Sequence, residues 1–247
     1  MRQRAAGLSS PPTPAPVDFL NTSTAGNGTF INNGGGNTFY GRASAGNGTF
    51  INNGSDGSTT GGFTDFVGHS SAGNGIFILN DSAVSGHAGG AIVFEGNSTA
   101  DAATIIANDG LGEGGLIFFT DGARGGRSRV AVFGNGGLDI SAHDPGNVTI
   151  GSIEGDGNVF LGARNLTIAS NNLSTTFSGM IQDGGIAGGA GGSLTKIGRG
   201  KLVSAIGIRI LEERLLNAAN SWLITRAIRA QAPGPFRWRT ASLAGKG

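Results

Sequence analysis

The strongest constraint in this chain is a short phrase that returns. It reads Thr24-Ala25-Gly26-Asn27-Gly28-Thr29-Phe30-Ile31-Asn32-Asn33-Gly34, then Ser44-Ala45-Gly46-Asn47-Gly48-Thr49-Phe50-Ile51-Asn52-Asn53-Gly54. A looser copy follows as Ser71-Ala72-Gly73-Asn74-Gly75-Ile76-Phe77-Ile78-Leu79-Asn80-Asp81. Each copy sets two or three apolar residues between turn-forming Gly and Asn, the footprint of a short strand and a corner. A period of about 20 residues matches one coil of a β-solenoid, with three short strands around an apolar bore. Such a coil cannot bury its own apolar face, so stability must come from stacking coil on coil. Ala25, Ala45 and Ala72 suit tight corners. Asn32/Asn33 and Asn52/Asn53 are placed to form hydrogen-bonded ladders along the stack.

Composition points the same way. Glycine supplies 48 of 247 residues, without the Gly-X-Y triplet of collagen. The apolar fraction of 38% is too high for a flexible linker, and charged residues are only 13%. There is no cysteine, which excludes disulfides, thiolate metal sites and a Cys nucleophile. Residues 21–122 are mildly acidic, with Arg42 their only Lys or Arg. No run is long and apolar enough to span a membrane. Met1-Arg2-Gln3-Arg4 is basic, but Pro11, Pro12, Pro14 and Pro16 follow where a signal peptide needs an apolar segment.

The chain reads in three parts. Residues 1–20 form a Pro-rich leader expected to be disordered, because proline removes backbone donors. Residues 21–202 form the solenoid. Its strands centre on Phe30, Phe39, Phe50, Phe63 to Phe66, Phe77, Ile92 and Ile105, then on Ile117, Val130, Leu138, Val148, Val159, Leu166, Ile181 and Leu194. Apolar residues are expected to stack inside while Asn, Thr and Ser face water. Residues 203–247 change character: arginines and both tryptophans gather there. Ile210, Leu211, Leu215, Trp222 and Ile228 give a patchy helical period over 208–231.

No chemical motif in the chain is specific. Gly110-Leu111-Gly112-Glu113-Gly114-Gly115 fits GxGxxG, but Leu116-Ile117-Phe118-Phe119 follows as a strand where a dinucleotide site needs a helix. It is read as a corner. Gly134 to Ile140 and Gly155-Asp156-Gly157-Asn158 resemble single calcium-binding turns without the tandem repeat that shares each ion. His69, His87 and His143 lack ligand spacing and are read as exposed loop residues. Asp65, Glu95, Asp101, Asp121 and Asp139 would have to converge in one groove to cleave a polysaccharide. Nothing in their spacing brings them together, and they are read as solvated coil residues. Arg124, Arg127 and Arg129 form the sharpest basic cluster in the repeats, read as a charged loop. Asn27, Asn47 and Asn97 begin Asn-x-Ser/Thr sequons of the kind this composition produces. No catalytic residue, cofactor or metal site is assigned.

One resemblance is specific. Asn171-Asn172-Leu173-Ser174, then Phe177-Ser178-Gly179-Met180-Ile181-Gln182-Asp183-Gly184-Gly185 and Gly192-Ser193-Leu194-Thr195-Lys196-Ile197-Gly198, closely resemble the autotransporter-associated β-strand repeat. That repeat belongs to passenger regions of bacterial autotransporter-type surface proteins. The earlier coils are similar to such passengers, so the resemblance covers most of residues 21–202. It implies a right-handed parallel β-helix, carried at the cell surface or outside the cell, that presents loops for adhesion. Partners would be a host or surface glycan or protein, or a second copy added at the open ends. Neither nucleic acid nor a membrane span of this chain is implied. The family's export signal and outer-membrane barrel are not read here.

The resemblance also recasts the tail. The family repeat continues with Asn-Thr-Tyr-Thr-Gly-Gly-Thr-Thr-Val. Synonymous codons for Ile208 to Leu216, entered two bases in, spell Thr-Tyr-Thr-Gly-Gly-Thr-Thr-Val. Residues from about 203 are therefore expected to be an out-of-frame product. The expected function is structural, not enzymatic. The alternatives are a β-helix enzyme acting on polysaccharide, a strand-adding assembly module and a non-functional truncated fragment.

Overall fold

The computed structural model describes residues 16–57, 60–168 and 170–204, with backbone strands at Gly207–Arg209 and Leu215–Asn217. In chain order the strands begin β1 (Val17–Phe19), β2 (Thr29–Asn33), β3 (Gly36–Phe39), β4 (Thr49–Asn53), β5 (Phe63–Phe66), β6 (Ile76–Leu79) and β7 (Ala91–Phe94). Then come β8 (Thr104–Ala107), β9 (Leu116–Phe119), β10 (Arg129–Val132), β11 (Gly137–Asp139), β12 (Asn147–Ile150), β13 (Ser152–Gly155) and β14 (Asn158–Phe160). The last are β15 (Asn165–Ile168), β16 (Thr175–Phe177), β17 (Met180–Gln182), β18 (Ser193–Lys196), β19 (Leu202–Ser204), β20 (Gly207–Arg209) and β21 (Leu215–Asn217). No helix occurs among the described residues.

Every pairing is parallel, and the sheets run along the stack of an all-β solenoid. One has nine strands in the order β1-β3-β5-β7-β9-β11-β14-β17-β20. Another runs β2-β4-β6-β8-β10-β13-β16-β19, and the third is β12-β15-β18-β21. The early coils therefore carry two strands, not three. Two columns of corners explain the difference. Gly26, Gly46, Gly73, Asp101 and Gly126 form one left-handed column, and Asn21, Gly41, Gly68, Gly96 and Asp121 form the other. Only four residues separate the two corners of a coil, such as Arg42 to Ala45. That leaves room for a single bridge per coil, Thr24 to Ser44 to Ser71 to Thr99 to Arg124. The third face becomes a true sheet only from β12 onward, where Val148-Thr149-Ile150 supplies an uninterrupted β-forming run.

The bore is filled by two aromatic columns. Phe19, Phe39, Phe66, Phe94 and Phe119 stack at 4.3, 4.7, 5.0 and 4.8 Å. Phe30, Phe50 and Phe77 stack at 4.9 and 5.0 Å. The columns meet edge to face, with Phe39–Phe50 at 5.6 Å and Phe66–Phe77 at 5.7 Å. Each such pair is worth about 0.5–1.5 kcal/mol beyond the area it buries. The second column dictates a glycine two residues earlier. A Cβ on Gly28, Gly48 or Gly75 would lie 2.8, 2.9 or 2.9 Å from Cε2 of the following Phe. Where the column shrinks to Ile105 and Val130, the matching positions are Ala103 and Ser128.

Asparagines form three ladders. On the outer edge Asn53 Nδ2 donates to Asn33 Oδ1 (2.6 Å), Asn80 to Asn53 (2.7 Å) and Asn108 to Asn80 (2.9 Å). At the exposed corner Asn47 donates to Asn27 and Asn74 to Asn47, both at 3.2 Å. The third lies inside the bore, against the expectation that polar residues face water. Asn32 Nδ2 reaches Asn52 Oδ1 (2.7 Å) and Asn37 Oδ1 (2.8 Å). Asn52 Nδ2 reaches Ala91 O (2.7 Å) and Thr64 Oγ1 (3.1 Å). Strand alternation is the reason: Phe30 and Asn32 share parity, so both point inward.

Two boundaries move. Val17–Phe19, expected in the disordered leader, is β1, because Phe19 caps the aromatic column on Phe39; residues 1–15 lie outside the described residues. In the tail, Gly207–Arg209 and Leu215–Asn217 pair parallel with β17 and β18 where a helix was expected. The open sheet edges offer backbone partners that outweigh local helix propensity. The rest of the helical and out-of-frame reading, over 205–247, lies outside the described residues.

Gly48→Ala is expected to cost about 1–3 kcal/mol in urea unfolding, as overpacking does. Adding Phe50→Ile should recover part of it, as Ala103 with Ile105 already does. A strictly additive double variant would show that the ring does not exclude the methyl. Asn52→Ala should cost about 2–3 kcal/mol by stranding buried partners, against less than about 1 kcal/mol for Asn53→Ala, where water can substitute.

Candidate functional site

The candidate carboxylates do not converge. Asp101 and Asp121 are left-handed corner residues. Asp101 accepts from the Ser71 and Thr99 hydroxyls, and Asp121 accepts from Gly96 N at 3.0 Å. Asp139 is buried, contrary to the solvated reading. A glycine-rich strap after β17 folds back over it, so that Ile186 N donates to its Oδ2 at 2.8 Å and Ser141 N to its Oδ1 at 2.8 Å. Asp65, on β5, feels the charge of Glu95, just after β7. Burial, and secondarily the Glu95 charge, push Asp65 from an ordinary 3.8 up to about 6.

The remaining candidates are parts of the scaffold. Gly110 to Gly115 form the corner between β8 and β9. Leu111 N is held by Asp81 Oδ2 at 3.3 Å, and Gly112 N by Ser82 O at 2.8 Å. At the next corner Gly134 N donates to Asp156 Oδ1 and Asn135 N to Asp109 Oδ1, both at 2.9 Å. These carboxylates pin backbone in the adjacent coil. No group of three or more His, Asp or Glu able to hold a metal occurs among the described residues.

His143 is buried, not exposed. Its ring nitrogens lie 2.8 Å from Asp144 O and 2.9 Å from Ala123 O, and Arg164 Nε donates to its own carbonyl. His69 is exposed, and His87 is half-buried beside Ser55 Oγ. The arginines spread around one coil: Arg124 on the bridge face, Arg127 at a corner, Arg129 on β10 in an ion pair with Glu154. Lys196, on β18, is an inward residue that its type concealed. It stands in register with Ile168, and burial holds its amine below the usual lysine range. Asn97 is exposed, as are Asn27 and Asn47 within their ladder.

The surface that stands out is one corner. In the first coil two residues, Gly34 and Gly35, carry the chain from Asn33 to Gly36. In the next three coils the same corner runs from Asn53 to Phe63, Leu79 to Ala91 and Ala107 to Leu116. Coil length along the outer Asn ladder accordingly grows from 20 residues to 27 and 28. Described residues of these loops bond to one another. Ser55 N donates to Ala88 O (2.8 Å), Ser82 Oγ to Ser55 O (2.7 Å) and Glu113 N to His87 O (2.9 Å). Leu111 projects from the last of them, 82% exposed. Asp56, Asp81, Asp109 and Glu113 make this edge acidic, and no Lys or Arg lies between Arg42 and Arg124.

Asp65 makes a pH signature. Between about pH 4 and 6 the folded chain keeps a proton that the unfolded chain has released, so stability falls as pH rises through that window. Asp65→Asn should flatten this slope and stabilise the chain at neutral pH by about 1–2 kcal/mol, after discounting for solvent screening. Thermal unfolding across pH measures both. An unchanged slope would place the effect elsewhere.

Comparison with protein-family models, curated proteins and solved structures gave no match to this chain.

Proposed function

We propose that the chain is a structural rod, a passenger-type segment of an autotransporter-like surface protein that displays one loop-bearing corner for adhesion. The observation that carries this reading is where the coils vary. Added residues enter at a single corner of three successive coils, while both strand ladders beside it keep register. A scaffold selected only to stack has no use for such ordered additions. The resemblance of residues 171–198 to passenger repeats supports the surface setting. The acidic edge favours a neutral or basic protein or glycan partner and disfavours anionic polymers, which it repels.

Intact cells expressing the natural gene, treated with a membrane-impermeant amine reagent, are expected to label this protein. Labelling only after lysis would overturn the surface reading. Replacing residues 54–62 with the short first-coil corner should change unfolding stability by no more than about 1 kcal/mol, the scale of a loop-length change. Loss of the cooperative transition would show that the corner is core, not display.

A further inference from the structure

The chain contains six Asn-Gly pairs, at Asn27, Asn33, Asn47, Asn53, Asn74 and Asn135. Glycine leaves its own nitrogen unshielded, so an Asn-Gly pair is the most reactive setting for amide loss. The glycine nitrogen attacks Asn Cγ and forms the N–Cγ bond of a cyclic imide. The Cγ–Nδ2 bond breaks, and ammonia leaves with the proton from the glycine nitrogen. Water then opens the imide to aspartate or isoaspartate. Asn27, Asn33, Asn47, Asn74 and Asn135 are all exposed, so solvent access does not separate them.

Hydrogen bonding does. The attacking nitrogens of Gly28, Gly48, Gly75 and Gly136 are tied in turns to Ala25 O, Ala45 O, Ala72 O and Phe133 O, at 3.0, 2.9, 3.0 and 2.7 Å. The amides of Gly34 and Gly54 have no such acceptor among the described residues. The leaving amides differ as well. Nδ2 of Asn47, Asn53, Asn74 and Asn135 each donates to a neighbouring oxygen. Asn33 sits in the first coil and only receives, from Asn53 Nδ2 at 2.6 Å onto its Oδ1. That bond polarises Cγ and stabilises the charge that develops on Oδ1 during attack. Asn33 alone combines an untied attacking nitrogen, an unheld leaving group and an activated carbonyl.

We infer that Asn33 is a selective site of spontaneous deamidation, with water as the only co-reactant, and that the ladder accepts its aspartate product. A carboxylate at position 33 still receives the Asn53 bond, now charge-assisted. A carboxylate at Asn47 would instead face Asn27 Oδ1 with no proton to share.

The folded protein is aged in mildly alkaline buffer beside a urea-unfolded sample, and each site is followed by peptide mass mapping. In the folded sample Asn33 should convert about tenfold faster than Asn27, Asn47, Asn74 and Asn135, the factor one intact turn hydrogen bond supplies. In urea the six sites should convert at similar rates. Equal rates at Asn33 and the four turn sites in the folded sample would overturn selectivity. Asn33→Asp should leave the thermal midpoint unchanged while Asn47→Asp lowers it. An equal fall in both would overturn the ladder's tolerance.

Discussion

Parallel stacking with strands about 4.8 Å apart sets each side chain directly against its counterpart in the next coil. A residue type survives in such a column only if it attracts itself. Phenylalanine does so by ring stacking, asparagine by passing a hydrogen bond from one rung to the next, and isoleucine by contact. Like charges directly opposite one another repel. This explains a chain that is 13% charged. Its carboxylates concentrate at corners, where Asp81, Asp109, Asp121 and Asp156 meet backbone N–H groups of a neighbouring coil and not one another. Asp65, on a strand face near Glu95, departs from this pattern: burial first, and the Glu95 charge second, raise its pKa.

The bore obeys the same rule with one polar interruption. Asn32, Asn37, Asn52 and Thr64 bond to one another across the first coils before Leu79 and Ile92 take over their columns. Replacing such a network with apolar residues often costs little stability. What it adds is registration. A strand slipped by one residue would turn Phe50 outward and leave Asn32 without its partners, so the network is satisfied in one alignment only.

Much of this was legible in the sequence, because short strands between Gly and Asn corners leave a repeating trace. The solenoid, its strand centres and the outer Asn ladder follow from it. What escaped depends on partners far along the chain. Phe19 sits behind a run of prolines, and only its stacking on Phe39 makes Val17–Phe19 a strand. His143 looks like a loop residue until Ala123 and Arg164 close around it. Asp139 is covered by a strap that starts two coils away. The inward asparagines were legible in principle from strand parity, which outranks polarity once Phe30 or Phe50 fixes which face is inside.

The ladders also decide where this fold can acquire a function. Inserting one residue in a strand flips every following side chain to the wrong face. Inserting several at a corner costs only loop-closure entropy, which grows slowly with length. From Asn21 to Gly126 the left-handed corners leave no slack, since only four residues separate their two columns. The corner after the second sheet's strands, from Asn53, Leu79 and Ala107 onward, carries no such restriction, and it is there that the coils lengthen and bond to each other. Variation that is free everywhere would scatter. Variation gathered at the permissive corner of three consecutive coils, with its own hydrogen bonds, is what the proposed display surface would use; the later strap after β17 instead packs back onto Asp139.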